Sequence, residues 1–527
     1  MYDILIKNGR VIDGTGNPWF YADVAVTGGR IVAIKRRLEG ARVTLDVKGK
    51  IVCPGFIDAH THSDHVLLAN PTADSKVHQG VTTEVVGNCG SSPAPLLGPA
   101  REAIVLQQSE RLGGFEVDWT TTGAYLSKLE KQGVAVNVAS LIGFGTLRIC
   151  VMGHAERPAT PGERSAMRGL LEENLDEGAF GLSTGLFYAP QSFAATDEVI
   201  DVVKGLKPKE ALYVTHVRDE GNYTVGILAA LEEALQTASE AEAPLHISHI
   251  QLNGIAAWHN AGAVIEMIEK ARQSGMDITA DEYSYTRCGG GICGSIMPRW
   301  ALEGGRVKVL ERLSHEPTRD RIAREIAATF SRRGGPELHT FSVYRPNPAF
   351  EGMTLESVAG ILGEPPEYAV LTMLEKADAG WVSAILNDDD VETFMKAPWV
   401  MIGSDGGSLA RSGRAGGGKP HPRNFGCFPR VIAVYSREKG LFPVEDAIRK
   451  MTSLPAQRFG LMDRGLLKEG FWADAVVFDP CLLADAATFE NPHRFPVGID
   501  YVIVNGQVVI DKGEHTGRLP GKALRRT

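Results

Sequence analysis

The chain has 527 residues, 43% of them hydrophobic and 23% charged, which is enough for one large domain with smaller additions. A net charge of −9 with both signs interspersed speaks against a nucleic-acid partner, and no run of about 18 apolar residues offers a membrane span. Seven cysteines, at positions 53, 89, 150, 288, 293, 427 and 481, are an odd number in a long chain and read as reduced thiols rather than a disulfide framework.

The N-terminus runs from Met1 straight into Tyr-Asp-Ile-Leu-Ile, without the basic and apolar blocks of a signal peptide, so the expected location is the cytoplasm. The first fifty residues then alternate short β-type runs with turn signals at Asn8-Gly9 and Gly28-Gly29. The C-terminal end has the same texture: Ala475–Phe478, then Tyr501–Val504, an Asn505-Gly506 turn and Val508–Ile510. Each half is too small to bury a core alone, so residues 1–54 plus 461–527 are expected to form one composite β-sandwich. No internal repeat of fixed period is evident.

Between the two ends, short apolar or β-branched segments alternate with helical patterns at roughly 56–60, 82–86, 136–142, 179–184, 212–217, 245–250, 277–283 and 399–404. Eight such units predict a (β/α)₈ TIM-like barrel over 55–460. A doubly wound sheet is the competing architecture, but the Gly-x-Gly-x-x-Gly turn expected after its first strand is missing. The gap after the seventh segment exceeds an ordinary connection and carries its own helical pattern, which predicts an inserted lid at 287–352.

Polar residues gather where such barrels carry chemistry, at the C-terminal ends of the strands. Asp58-Ala59-His60-Thr61-His62 closes the first segment, and a period of two puts His60 and His62 on one side. Cys89 follows the second segment, His216 the fifth, His249 the sixth and Asp405 the eighth. A lone histidine there is more often structural, a lone buried cysteine is ordinarily inert, and the alternative for Asp405 is a helix N-cap following the strand. Together they form the imidazole, thiolate and carboxylate set that zinc accepts.

These segments resemble the amidohydrolase superfamily, specifically its D-aminoacylase (N-acyl-D-amino-acid deacylase) branch. The resemblance rests on Pro54–His62, Gly80-Val81-Thr82-Thr83, Gly87-Asn88-Cys89-Gly90, Gly181–Leu186, Thr215–Gly221, Gly403–Gly406, His421-Pro422-Arg423 and Ala473–Pro480. It implies one tightly bound Zn²⁺ on Cys89, His216 and His249, with His60, His62 and Asp405 flanking a second, weaker metal position. Many superfamily members bridge two metals with a carboxylated lysine, but the matching stretch Gly181–Pro190 contains none, and Cys89 is expected to replace it. His246 is turned off the face used by His249 and reads as structural.

The expected reaction is hydrolysis of a non-ring amide, the deacylation of an N-acyl-(D-)amino acid to a carboxylate and a free amino acid. Zinc would bring the pKa of water to about 7, and Asp405 would act as general base and then general acid. The D configuration follows from the resemblance alone. Alternatives are a dipeptidase, a cyclic-amide ring opener and, in a different class, a non-catalytic assembly protein. The last predicts damaged ligand motifs, whereas all six positions are intact. The expected partner is a small-molecule amide, and a homo-oligomer is the default state.

Three departures from the branch pattern bear on the pocket. Phe144 replaces a usual histidine, Gln251 stands where relatives often carry a lysine, and Arg287-Cys288-Gly289 replaces a small hydroxyl-bearing stretch. Arg287 is expected to grip a substrate carboxylate in place of that lysine, against the alternative of a solvated loop residue. Tyr283, Tyr285 and Gln251 complete the expected substrate contacts, against the alternative of tyrosines bonded to backbone. Met297 and Trp300 of the lid and the loop Gly413–Gly418 bracket the barrel mouth as apolar wall and mobile cover, or simply as lid core and linker.

Overall fold

Short strands of β-branched and apolar residues alternate with amphipathic helices through the middle of the chain, and this alternation closes into a barrel. The computed structural model describes residues 1–112 and 116–526. Its eight parallel barrel strands include Phe56–Asp58, Val81–Val86, Asn137–Ser140, Gly181–Gly185, Leu212–His216, Leu245–Ile247, Ile278–Glu282 and Val400–Ile402. All eight are buried along their length, as strands covered on both faces must be.

Hydrogen bonding runs continuously from the strand Ile142–Gly143 round to Val400–Ile402, and separately through the first three barrel strands. The ring closes between the eighth and first strands, where the Asp405 amide donates to the His60 carbonyl at 2.8 Å and the His62 amide to the Gly406 carbonyl at 2.9 Å. The two chain segments that carry His60, His62 and Asp405 are therefore tied together by backbone.

Beneath this seam lies a buried polar knot. Lys76 Nζ is 2.7 Å from Asp58 Oδ2 and 2.5 Å from Ser404 Oγ, while Asp58 Oδ1 accepts the Ser404 amide at 2.8 Å. Lys76 and Asp58 are both fully buried. A buried pair of this kind holds only because each charge is matched and hydrogen-bonded, so it fixes the register of the two strands that present the site.

The two chain ends meet as expected. Nine strands form one bonded sheet in which Ile51–Pro54 pairs antiparallel with Ala475–Phe478, joining the N-terminal strands to the C-terminal ones. Its inner residues, among them Ile6, Val24, Val52, Val477 and Ile503, share one core.

The lid extends beyond the 287–352 expected from sequence. Its three-stranded antiparallel sheet places Gly380–Ser383 between Cys288–Gly291 and His339–Val343, so its elements run on to Ser383. The central strand was hidden in the sequence because it is only four residues long and follows two helices, Leu355–Leu362 and Pro366–Lys376. Met297 lies in the lid core and Trp300 packs against it, with the Trp300 indole donating to Glu325 and stacked by Arg321. Both serve the lid itself. Among the described residues no helix is long and apolar enough to cross a membrane.

Candidate active site and metal centre

The strand ends converge on one point. Sγ of Cys89 lies 3.3 Å from Nε2 of His60, 3.4 Å from Nε2 of His249 and 3.7 Å from Nδ1 of His216, and the two last nitrogens are 3.0 Å apart. Oδ1 of Asp405 is 3.0 Å from His62 Nε2 and 3.7 Å from His60 Nε2. The six residues form three overlapping groups: His60, His62 and Cys89; Cys89, His216 and His249; and His60, His249 and Asp405. His62 is the member most open to solvent, its side chain 40% exposed.

The outward ring nitrogens decide what the inward ones are for. His249 Nδ1 faces Glu220 Oε1 at 2.9 Å, His216 Nε2 faces the other oxygen of Glu220 at 3.6 Å, and His60 Nδ1 faces Asp281 at 3.4 Å. A carboxylate on the outer nitrogen holds the proton there and turns the lone pair inward, the arrangement that supports metal-ligating histidines. Three lone pairs and a thiol converging at 3.0–3.7 Å repel one another unless a cation stands between them. A tetrahedral zinc with bonds of about 2.0–2.3 Å spaces its ligand atoms about 3.3–3.6 Å apart, so the donor set and its spacing fit that ion.

The electrostatics agree. Burial pushes the Cys89 thiol up, but His60, His249 and His216 outweigh it and hold the group well below its ordinary value, which favours the thiolate. Burial pulls the histidines down, yet Asp281 and Cys89 raise His60 to about 9, and Asp405 and Cys89 raise His62 to about 10. Burial also opposes ionisation of Asp405, but Arg423, followed by His62 and the other histidines, keeps its carboxyl well below the usual range. The cluster is short of positive charge.

Cys89, His249 and Asp405 all have left-handed backbone, with φ of 53°, 28° and 50°. That conformation is costly for a non-glycine residue, and all three adopt it two or three residues after the end of their strand. The N-cap reading of Asp405 has no counterpart, since the next helix begins only at Arg423.

The residues expected to meet substrate are distributed differently from the ligands. Gln251 donates to Glu220 at 2.8 Å and accepts from the Tyr283 hydroxyl, so both are committed to the support of His216 and His249. The Tyr285 hydroxyl donates to Asp485 at 2.7 Å, and that ring packs against His421. Arg287 lies 4.1 Å from the ring centre of Phe489, with its own carbonyl 2.8 Å from the His421 ring. Phe144 is fully buried in the core around the barrel. His246 bonds Thr279 and Asp281, each at 2.8 Å, which makes it the clamp on the carboxylate behind His60.

Residue-by-residue reading passed over the supports. Glu220 also accepts from Asn253 at 2.7 Å, beside the two imidazoles that face it, and Asp281 accepts the His249 amide as well as His246. Arg423 Nη1 is 2.8 Å from Asp405 Oδ2, and its guanidinium lies 4.8 Å from the Tyr283 ring centre. Tyr188 covers His216, with ring centres 4.8 Å apart. Glu220 and Arg423 stood inside the quoted Thr215–Gly221 and His421–Arg423 motifs; the signal was present and the role was not.

The chain matches the amidohydrolase family over residues 43–510. It is 38% identical to the D-aminoacylase of Alcaligenes xylosoxydans xylosoxydans, covering 100% of this chain and 98% of that protein. Two solved structures superpose along the full length of both chains. One is a D-aminoacylase with a binuclear metal centre, in which one metal activates and a second attenuates, at TM-score 0.83 and 35% identity. The other is the N-acyl-D-glutamate deacylase of Bordetella bronchiseptica, complexed with zinc and a phosphonate that mimics the tetrahedral intermediate, at TM-score 0.84 and 33% identity.

Proposed function

This chain belongs to the amidohydrolase family, within its D-aminoacylase branch, and we propose that it hydrolyses the amide bond of N-acyl-D-amino acids to a carboxylate and a free D-amino acid. The full-length relatives supply the reaction class and the configuration. The observation that carries the assignment is the Asp405 carboxylate, with one oxygen on the histidine cluster and the other on Arg423.

Cys89, His216 and His249 would hold zinc, with His60, His62 and Asp405 around the weaker second position. Bound there, zinc supplies Lewis acidity toward water and toward the amide carbonyl. Asp405 Oδ1 accepts the proton of the attacking water and passes it to the departing nitrogen, which as an unprotonated amide is a very poor leaving group. Arg423 fixes Oδ2 and keeps the carboxyl a strong acid, so the proton is held briefly and released readily. The balance is one amide and one water to one carboxylate and one amine.

The substrate's α-carboxylate is one carbon from the scissile nitrogen, so it must lie near Asp405. Arg423, which lies 2.8 Å from Asp405 and whose Nε has no hydrogen-bond partner among the described residues, is the cation this geometry favours for it. Arg287, committed to Phe489, is the alternative grip.

Amine release from paired N-acetyl-D and N-acetyl-L amino acids and from dipeptides tests the assignment, with zinc-loaded protein beside its Asp405→Asn variant. Release confined to the D series and lowered about 10²–10⁴-fold in the variant is expected. Release from dipeptides only, or an unaffected variant, contradicts it.

A further inference from the structure

Three lid arginines at the surface have acidic partners. Arg312 pairs with Glu303, Arg319 with Glu375 and Arg321 with Glu325. Arg333, the last residue of the lid helix Glu316–Arg333, reverses that pattern. It is 4% exposed, its Nε has no hydrogen-bond partner, and among the described residues no carboxylate forms an ion pair with it.

Its surroundings point toward the site. The guanidinium carbon lies 4.7 Å from the ring centre of Tyr223, which stands edge-on to Phe187, and Phe187 packs on His216. Tyr223 in turn donates to the Asn253 carbonyl at 3.0 Å. The backbone of Arg333 abuts the same loop so closely that a methyl group on Gly254 would meet the Arg332 carbonyl at 3.2 Å. The helix end is thus docked onto the loops that follow His216 and His249. Burial pushes the Cys288 thiol up, and Arg333, then Arg423, oppose that rise, so both cations lie on the side of the lid strand that carries this thiol. A second lid cation, Arg299, forms no ion pair with a carboxylate among the described residues; it sits 4.1 Å from the Phe187 ring centre and feels both the repulsion of Arg333 and the weaker attraction of Asp219.

A buried cation that lacks a counter-ion is costly, and a second like charge beside it adds to the cost. The cost is removed when an anion arrives, and a guanidinium matches a carboxylate through two parallel bonds. The α-carboxylate is drawn to Arg423 by its position next to the scissile bond, whereas Arg333 lies across Tyr223 and Phe187. We propose that Arg333 receives a second carboxylate of the substrate, so that the preferred substrates are N-acyl-D-amino acids with acidic side chains. The inference rests on the deacylase reading and narrows it.

The test compares kcat/KM for N-acetyl-D-glutamate and N-acetyl-D-aspartate with that for N-acetyl-D-glutamine and N-acetyl-D-methionine. The acidic substrates are expected to exceed the near-isosteric glutamine derivative at least about tenfold, chiefly through KM. Arg333→Gln is expected to lower that ratio about tenfold or more, and Arg333→Lys to recover part of it. A wild-type enzyme that prefers the neutral substrates, or a variant that lowers every substrate alike, overturns the proposal. If the glutamine variant does not fold, inhibition of the wild type decides: glutarate must bind at least about tenfold tighter than valerate, and equal binding overturns it. Absence of amine release from every N-acyl-D-amino acid overturns the deacylase reading, and this proposal with it.

Discussion

Arg423 Nη1 lies 2.8 Å from Asp405 Oδ2, with both side chains at least nine-tenths buried. Replacing the guanidinium with an apolar group strands a carboxylate in the interior, at a cost of about 3–5 kcal/mol. Arg423→Met is therefore expected to lower the unfolding midpoint and to cut kcat at least about a hundredfold, read by calorimetry and amine release. Arg423→Lys keeps the charge but loses the fork, and should fall between the two.

Glu220 supports two of the three strongest ligand candidates at once through His216 and His249. Glu220→Gln preserves the shape and removes the charge that orients both rings. Zinc affinity is expected to fall about 10–100-fold, measured by competition with a chromophoric chelator. An unchanged affinity would mean that the histidines orient themselves.

Lys76 is remote from solvent, and among the described residues its ammonium bonds Asp58, Ser404 and the Gly406 carbonyl. Lys76→Met leaves Asp58 buried without its cation, and the expected loss is again about 3–5 kcal/mol. Because Asp58 and Ser404 lie two residues before His60 and one before Asp405, activity should fall more than the loss of folded protein explains. Denaturant melts and activity per folded molecule separate the two effects.

The lid carries its own pH dependence. Burial, reinforced by Arg333, holds the His339 imidazole at about 3 against an ordinary 6.5. The unfolded chain takes up a proton at this histidine below about 6.5, whereas the folded chain does so only near 3. The stability it contributes is thus complete above 6.5 and is lost as pH falls through that window, by up to about 1.4 kcal/mol per pH unit. Thermal melts between pH 7 and 4.5 should show this slope in the wild type and a shallower one in His339→Asn.

Barrel, sandwich and ligand candidates were legible because each depends on short-range pattern. The period-two spacing of His60 and His62 at a strand end needs no knowledge of the rest of the chain, and the eight apolar segments lie within a few residues of the observed strands. What escaped depends on distant partners. Nothing near Tyr285 in sequence announces Asp485, two hundred residues on, which takes its hydroxyl. Gln251 suggested a lost substrate cation, but its amide is spent on Glu220. Arg333 closes a strongly polar helix and would pass for a solvated C-terminal charge, until docking against Tyr223 and Gly254 buries it.

The central claim is that Cys89, His216 and His249 hold the zinc on which hydrolysis depends. The most direct measurement is stepwise addition of zinc to chelator-stripped protein, following amine release from N-acetyl-D-amino acids and bound metal together, for the wild type and for Cys89→Ala. The account predicts activity that rises with the first bound equivalent in the wild type, and neither tight zinc nor activity in the variant. Full activity in stripped protein, or a variant that binds zinc tightly and turns over normally, would contradict it.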